Sequence, residues 1–140
     1  MRRYEHHFSV AEANGMVPRL RRWFAEIHDL DRQIAELLPA CQPALARRSQ
    51  DVGGPRLAEL LLLSMHWRHG ILEILAAGIE VKDVPRGLVD FPHLLPTGDE
   101  VYLCWELAEA TVGHWHALDG GFATREPLGP RAAPRPGESV

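Results

Sequence analysis

The residues whose types and spacing could support chemistry gather in the last third of the chain. Cys104, Glu109, His114 and His116 supply a thiol, a carboxylate and two imidazoles, each a competent ligand for zinc or another transition metal. The element beneath them decides their geometry. On a helix, Glu109 and His116 stand seven apart on one face and His114 points elsewhere. On a strand, His114 and His116 share a face. No CxxC, HxxxH or HExxH is present to sharpen the assignment. The competing reading is a histidine bonded to a carboxylate or carbonyl beside Trp105 and Trp115.

A second group is Asp83, Asp90 and Arg125, read as structural ion pairs that tie the end of the fold to a sheet. Acid–base work by the two carboxylates would require burial to raise one of their pKa values. His66, His69 and Glu73 fall at i, i+3 and i+7, a polar stripe on a helix. The Glu-x-x-His tetrapeptide of dinuclear carboxylate bundles occurs nowhere, so this stripe reads as a solvated face. His6-His7 beside Glu5 reads as a polar terminus. Phosphate loops, nucleophile elbows and dinucleotide fingerprints are missing from the sequence, and none of Ser9, Ser49, Ser64 and Ser139 suits a triad. Cys104 with His116 as base is the remaining nucleophile arrangement. A cysteine in a short aromatic strand reads instead as packing, and no catalytic residue is assigned.

Two long helices must carry most of the fold. Ser9-Val10-Ala11-Glu12 matches a capping box. Met16, Leu20, Trp23, Ile27, Leu30, Ile34, Leu37 and Cys41 follow in alternating steps of four and three, a heptad seam of coiled-coil type. Pro18 predicts a kink or a restart early in this helix. Pro39, Pro43 and Gly53-Gly54-Pro55 bracket a linker, and a second apolar helix runs from about Pro55 to Ala77, ended by Gly78. The seam of the first helix, with Trp23, Phe24, Trp67 and the leucine run, exceeds what one neighbour can cover. A second copy, forming a four-helix arrangement by two-fold symmetry, is therefore expected.

Beyond Gly78 the pattern turns to strands at 79–83, 88–92 and 100–106, with Val101, Leu103 and Trp105 on one face and Tyr102, Cys104 and Glu106 on the other. A two- or three-stranded antiparallel sheet is expected, then one more helix or turn over 108–118. The fold class is thus α+β, mainly α: a long antiparallel helical hairpin (9–78) and a small β unit (79–128) in one domain (1–128). Residues 129–140, rich in Pro, Gly and Arg, read as a disordered tail.

Composition excludes several classes. The 140 residues suit one domain. The net charge of −4 gives no reason to expect nucleic-acid binding, and Arg19, Arg21 and Arg22 are followed by Glu26, Asp29, Asp31 and Glu36. No apolar stretch, the leucine run Leu60–Leu63 included, approaches the ~20 residues that span a bilayer. With no signal-like start and only Cys41 and Cys104, a reduced cytoplasmic protein is expected, with no membrane partner.

Five motifs occur in order: Ser9-Val10-Ala11-Glu12-Ala13-Asn14; Val81-Lys82-Asp83; Gly87-Leu88-Val89-Asp90-Phe91-Pro92; Leu103-Cys104-Trp105; and Trp115-His116 with Gly121-Phe122. Together, over about residues 8 to 128, they resemble the bacterial domain of unknown function 2203 family. The resemblance implies a helical hairpin with a small C-terminal sheet and supplies no activity. The family pattern has Gly-Glu after the Cys-Trp strand and glycine before the closing arginine. Here those places hold Ala108-Glu109 and Thr124-Arg125.

The functional expectation is a non-enzymatic homodimer acting as an adaptor or accessory subunit toward a protein partner. The alternative is a small metal-binding protein or metalloenzyme, with zinc or another transition metal on Cys104, Glu109, His114 and His116.

Overall fold

The computed structural model describes residues 1–46 and 54–129. The fold is α+β: helix α1 (Val10–Ala46), helix α2 (Pro55–Ala76), then strands β1 (Glu80–Asp83), β2 (Leu88–Leu94), β3 (Glu100–Trp105), β4 (His114–Ala117) and β5 (Glu126–Pro127). The tail reading falls outside the described residues except for Gly129. The chain divides into two compact units, Met1–Arg22 with Ile74–Val140, and Trp23–Glu73. No helix among the described residues is long and apolar enough to cross a membrane.

The capping box forms as its residues dictate. Glu12 N donates to Ser9 Oγ at 3.0 Å, and Ser9 N donates to Glu12 Oε1 at 3.2 Å. Neither a restart nor a stop follows: α1 is one helix through Pro18, Pro39 and Pro43. Pro18 is exposed, so the Asn14 carbonyl that loses its amide partner there can turn to water. Pro39 and Pro43 of the expected linker thus belong to α1, and its residues 47–53 lie outside the described residues. Gly78 ends the second helical pattern as expected, in the left-handed region at φ 88°.

The heptad seam points inward. Leu20, Ile27 and Cys41 are buried, and Met16, Trp23, Leu30, Ile34 and Leu37 are half-buried. Within Trp23–Glu73, Trp23 Nε1 donates to Glu73 Oε2 at 2.8 Å. A Cβ on Gly70 would come within 3.1 Å of Ile27 Cγ1, so this glycine sets how closely α1 and α2 approach. The large apolar side chains left exposed lie mostly on α2 instead.

The sheet is larger than expected. Five antiparallel strands pair in chain order, β1-β2-β3-β4-β5. Residues 108–118 form no helix: a turn leads into β4, which pairs with β3 from Val101↔Ala117 to Cys104↔His114. The alternation His-Trp-His-Ala suits a pleat, and pairing along β3 outweighs the weak helical pattern. Val89, Phe91, Val101, Leu103 and Trp105 form a buried apolar face. Phe8 stacks edge-on against Phe91, and the Arg21 guanidinium lies 5.4 Å over the Trp105 ring. Arg21 also donates to the Leu107 and Glu109 carbonyls at 3.1 and 2.8 Å.

His93 belongs to this core. It is 2 % exposed, and its Nδ1 donates to the Phe8 carbonyl at 2.6 Å. Burial pushes its pKa below the ordinary histidine value, against the pull of that carbonyl. In the unfolded chain His93 takes up a proton that the folded chain refuses, so stability falls as pH drops below ~6.5. His93→Asn keeps an N–H donor and removes the titration. Urea midpoints at pH 7.5 and 5.5 are expected to differ less for the variant than for the parent. An unchanged difference would assign the acid sensitivity elsewhere.

Candidate functional site

The strand register builds a polar face opposite the apolar one. Asp90 on β2 stands across from Cys104 on β3, and Tyr102 on β3 stands across from His116 on β4. Side chains alternate along a strand, so Asp90, Tyr102, Cys104 and His116 project to one side. This polar face is also buried: Asp90 is 2 %, Cys104 1 % and His116 3 % exposed. A carboxylate oxygen, Cys104 Sγ and an imidazole nitrogen lie within 4.8 Å of one another.

The proton count at His116 is informative. Nδ1 lies 2.7 Å from the Ala117 carbonyl, which can only accept, so Nδ1 carries a hydrogen. Nε2 lies 3.0 Å from Asp90 Oδ2. That contact needs a second proton, on the ring or on the carboxyl, or a cation in its place. Asp90 Oδ1 is buried with no nitrogen or oxygen partner, and the Cys104 thiol is the group that stands beside the carboxyl. Burial pushes the Asp90 carboxyl above its usual range, although the positive charge of His116 opposes it. Burial, with the Asp90 charge added, pushes the Cys104 thiol up to about 12 against the pull of Arg125. A neutral, buried thiol is a poor nucleophile. Both His116 nitrogens are engaged elsewhere, so Cys104 gains no base from it.

Glu109 and His114 form a neighbouring cluster. Arg125 grips Glu109 with two bonds, Nη1 to Oε1 at 2.7 Å and Nη2 to Oε2 at 3.1 Å. Glu109 Oε1 also accepts from the Glu106 amide at 3.1 Å, and His114 Nδ1 lies 3.2 Å from Glu109 Oε2. The Arg125 guanidinium stacks 4.1 Å over Phe122, and its Nη1 stands 4.0 Å from Cys104 Sγ. The acid retained at Ala108-Glu109 thus meets the arginine of Thr124-Arg125.

Of Cys104, Glu109, His114 and His116, the structure brings Cys104 and His116 together and adds Asp90. Glu109 is committed to Arg125, and His114 turns toward Glu109 although its backbone pairs with Cys104. The trio Asp83, Asp90 and Arg125 separates. Asp83 Oδ1 accepts from the Arg86 amide at 3.0 Å in the β1–β2 turn, Asp90 pairs with His116, and Arg125 pairs with Glu109. Of the histidine stripe, His69 pairs with Glu73 at 2.9 Å in an exposed position. Asp90 as a third member of this group is not legible in the sequence because its neighbour across the sheet depends on register, and the alternating His114-x-His116 is the one local clue.

A model of the family described as "Uncharacterized conserved protein (DUF2203)" matches residues 6–128. No curated protein and no solved structure matches the chain.

Proposed function

The chain belongs to the DUF2203 family of uncharacterized conserved proteins, and we propose from its buried polar cluster that it is a small metal-binding protein with Asp90, Cys104 and His116 as ligands. The observation that carries this reading is the unsatisfied chemistry of the cluster. Two groups that become anions, a carboxyl and a thiol, share one buried site, and one carboxylate oxygen has no partner except that thiol. A divalent cation would neutralise both and replace the proton between Asp90 and His116.

The donor set selects the ion. Thiolate with imidazole and carboxylate suits zinc, cobalt or iron rather than magnesium or calcium. Ligand atoms bound tetrahedrally at ~2.0–2.3 Å stand roughly 3.3–3.8 Å apart, so a spread within 4.8 Å closes by small side-chain rotations. The Nδ1–H of His116 on a carbonyl is the outer contact that leaves Nε2 free to ligate. Three protein ligands leave one position for a fourth donor.

Tag-free protein titrated with Co(II) tests this. A thiolate-to-cobalt charge-transfer band and displacement by one equivalent of Zn(II) are expected. Absence of the band, with less than ~0.1 equivalent of bound metal after dialysis, overturns the reading.

A second reading rests on α2, where Leu61, Leu62, Met65 and Leu72 are 59, 58, 64 and 48 % exposed. Patches of this kind mark interaction surfaces, and a homodimer or adaptor role would use this face. The contacts Trp23–Glu73 and Ile27–Gly70 run in opposite order along α1 and α2, which supports the antiparallel hairpin within that unit. Light scattering is expected to give a dimer that Met65→Glu with Leu72→Glu converts to monomer. A parent monomer at high concentration counts against association.

A further inference from the structure

The polar face of the sheet is roofed near Tyr102 by a stretch of backbone, and that stretch is fastened at Glu100 and through the Tyr4 side chain. The Glu100 carboxylate accepts from the Arg3 amide at 2.7 Å, the Tyr4 amide at 3.0 Å and His7 Nε2 at 2.7 Å. Tyr4 then lies over the face. Its ring meets that of Tyr102 with centroids 5.7 Å apart, the two hydroxyls hydrogen-bond, and the Tyr4 hydroxyl also donates to Glu80 Oε1 at 2.7 Å. Tyr102 in turn lies against His116, ring centroids 5.5 Å apart.

Just beyond these residues the chain is anchored differently. Phe8 is buried, its amide donates to the Pro92 carbonyl at 2.7 Å, and its ring packs on Phe91. Arg3, Glu5 and His6 are exposed, while Tyr4 and His7 are half-buried. Polar contacts to Glu100, and those of the Tyr4 hydroxyl with Glu80 and Tyr102, therefore hold most of residues 3–7, with the His6 ring edge-on to Phe8, whereas apolar burial holds Phe8. Segments held this way open at lower free energy than the core beneath them.

We infer that residues 3–7 are a strap, hinged at Phe8 and clipped by Glu100, whose opening admits small solutes to the pocket of Asp90, Cys104 and His116. Taking the solute as a metal ion rests on the proposed function; the opening itself does not. The Tyr4–Tyr102 contact places the strap beside the site, and the Glu100 clip and the Tyr4 hydroxyl are its two points of release. Desolvation pulls the Glu100 carboxyl up, but the donors from His7, Arg3 and Tyr4 outweigh it and hold the group below its usual range, as a clip charged at neutral pH requires.

The Cys104 thiol reports opening without any metal. In the full-length chain carrying Cys41→Ser, methyl methanethiosulfonate labels Cys104 only when the pocket is exposed. Glu100→Gln is expected to speed labelling roughly tenfold or more, and Tyr4→Ala to do the same by a separate route. Low urea should leave these rates nearly unchanged, because strap opening exposes little surface. Unchanged labelling in both variants overturns the inference. So does a rate that rises steeply with urea, which reports global unfolding. If Co(II) binds, its removal by a chelator should quicken in step with labelling. Faster labelling without metal uptake by the parent would refute the metal reading and keep the strap.

Discussion

Asp90→Asn is expected to leave the metal-free fold standing while weakening zinc binding by roughly 10²–10³-fold. The affinity estimate follows from sharing the ~10–16 kcal/mol of a structural zinc site among four ligands, which gives about 2.5–4 kcal/mol for each. The stability side follows from the proton count at His116. Nδ1 already donates to the Ala117 carbonyl, so an unprotonated Nε2 needs a donor, and the side-chain amide introduced by Asp90→Asn supplies one where Oδ2 stood. The buried charge disappears with no loss of volume, and the hydrogen bond to His116 is kept, which separates this change from removing a partner outright. In the presence of a chelator, the unfolding free energy should stay within about 1 kcal/mol of the parent or exceed it. Cys104→Ser should lose zinc to a comparable extent. Affinity of the parent should also fall with acidification, because the Cys104 thiol, pushed up to about 12, surrenders a proton to every ion bound. Competition with a chromophoric chelator measures all three. Parent-like affinity in Asp90→Asn would remove Asp90 from the ligand set.

His116→Ala carries the largest expected loss of stability, about 3–5 kcal/mol, because it leaves Asp90 buried at 2 % exposure without its partner. The sign with pH distinguishes this cause from a simple cavity. Burial already raises the Asp90 carboxyl above its unfolded value. A raised acid holds its proton longer when folded, so its contribution to stability declines as pH rises past the unfolded value near ~3.9. The deficit of His116→Ala should therefore be greater at pH 7 than at pH 5, and it should shrink in the Asp90→Asn background. Urea unfolding of the four proteins of this cycle decides the matter. An equal deficit in both backgrounds would assign the loss to packing alone.

The two readings of the molecule lie in different parts of it. The metal reading uses the sheet and the segments roofing it, all within Met1–Arg22 and Ile74–Val140. The association reading uses the leucine-rich side of α2, within Trp23–Glu73. Variants of one can be measured without disturbing residues of the other. The 4-3 seam of α1 serves neither directly: its residues are buried or half-buried, so the case for association moves to Leu61, Leu62, Met65 and Leu72.

Local chemistry was sufficient for much of this. Ser9 and Glu12 are three apart, so their capping bonds need no distant partner, and Gly78 ends α2 through its own φ. The alternation in 100–106 already separates Leu103 and Trp105 from Tyr102 and Cys104. The resemblance through five short motifs identified the family. What sequence could not supply was pairing at long range. Residues 108–118 are ambiguous until β3 offers an edge, and β5 at Glu126–Pro127 exists only as a pairing with His114 and Trp115. Register alone brings Asp90 to Cys104, and it leaves Glu109 to Arg125 instead of to a metal. Ligand types are a property of the sequence; which three of them meet depends on strand neighbours, because a shift of one residue in register would send Asp90 or His116 to the opposite face.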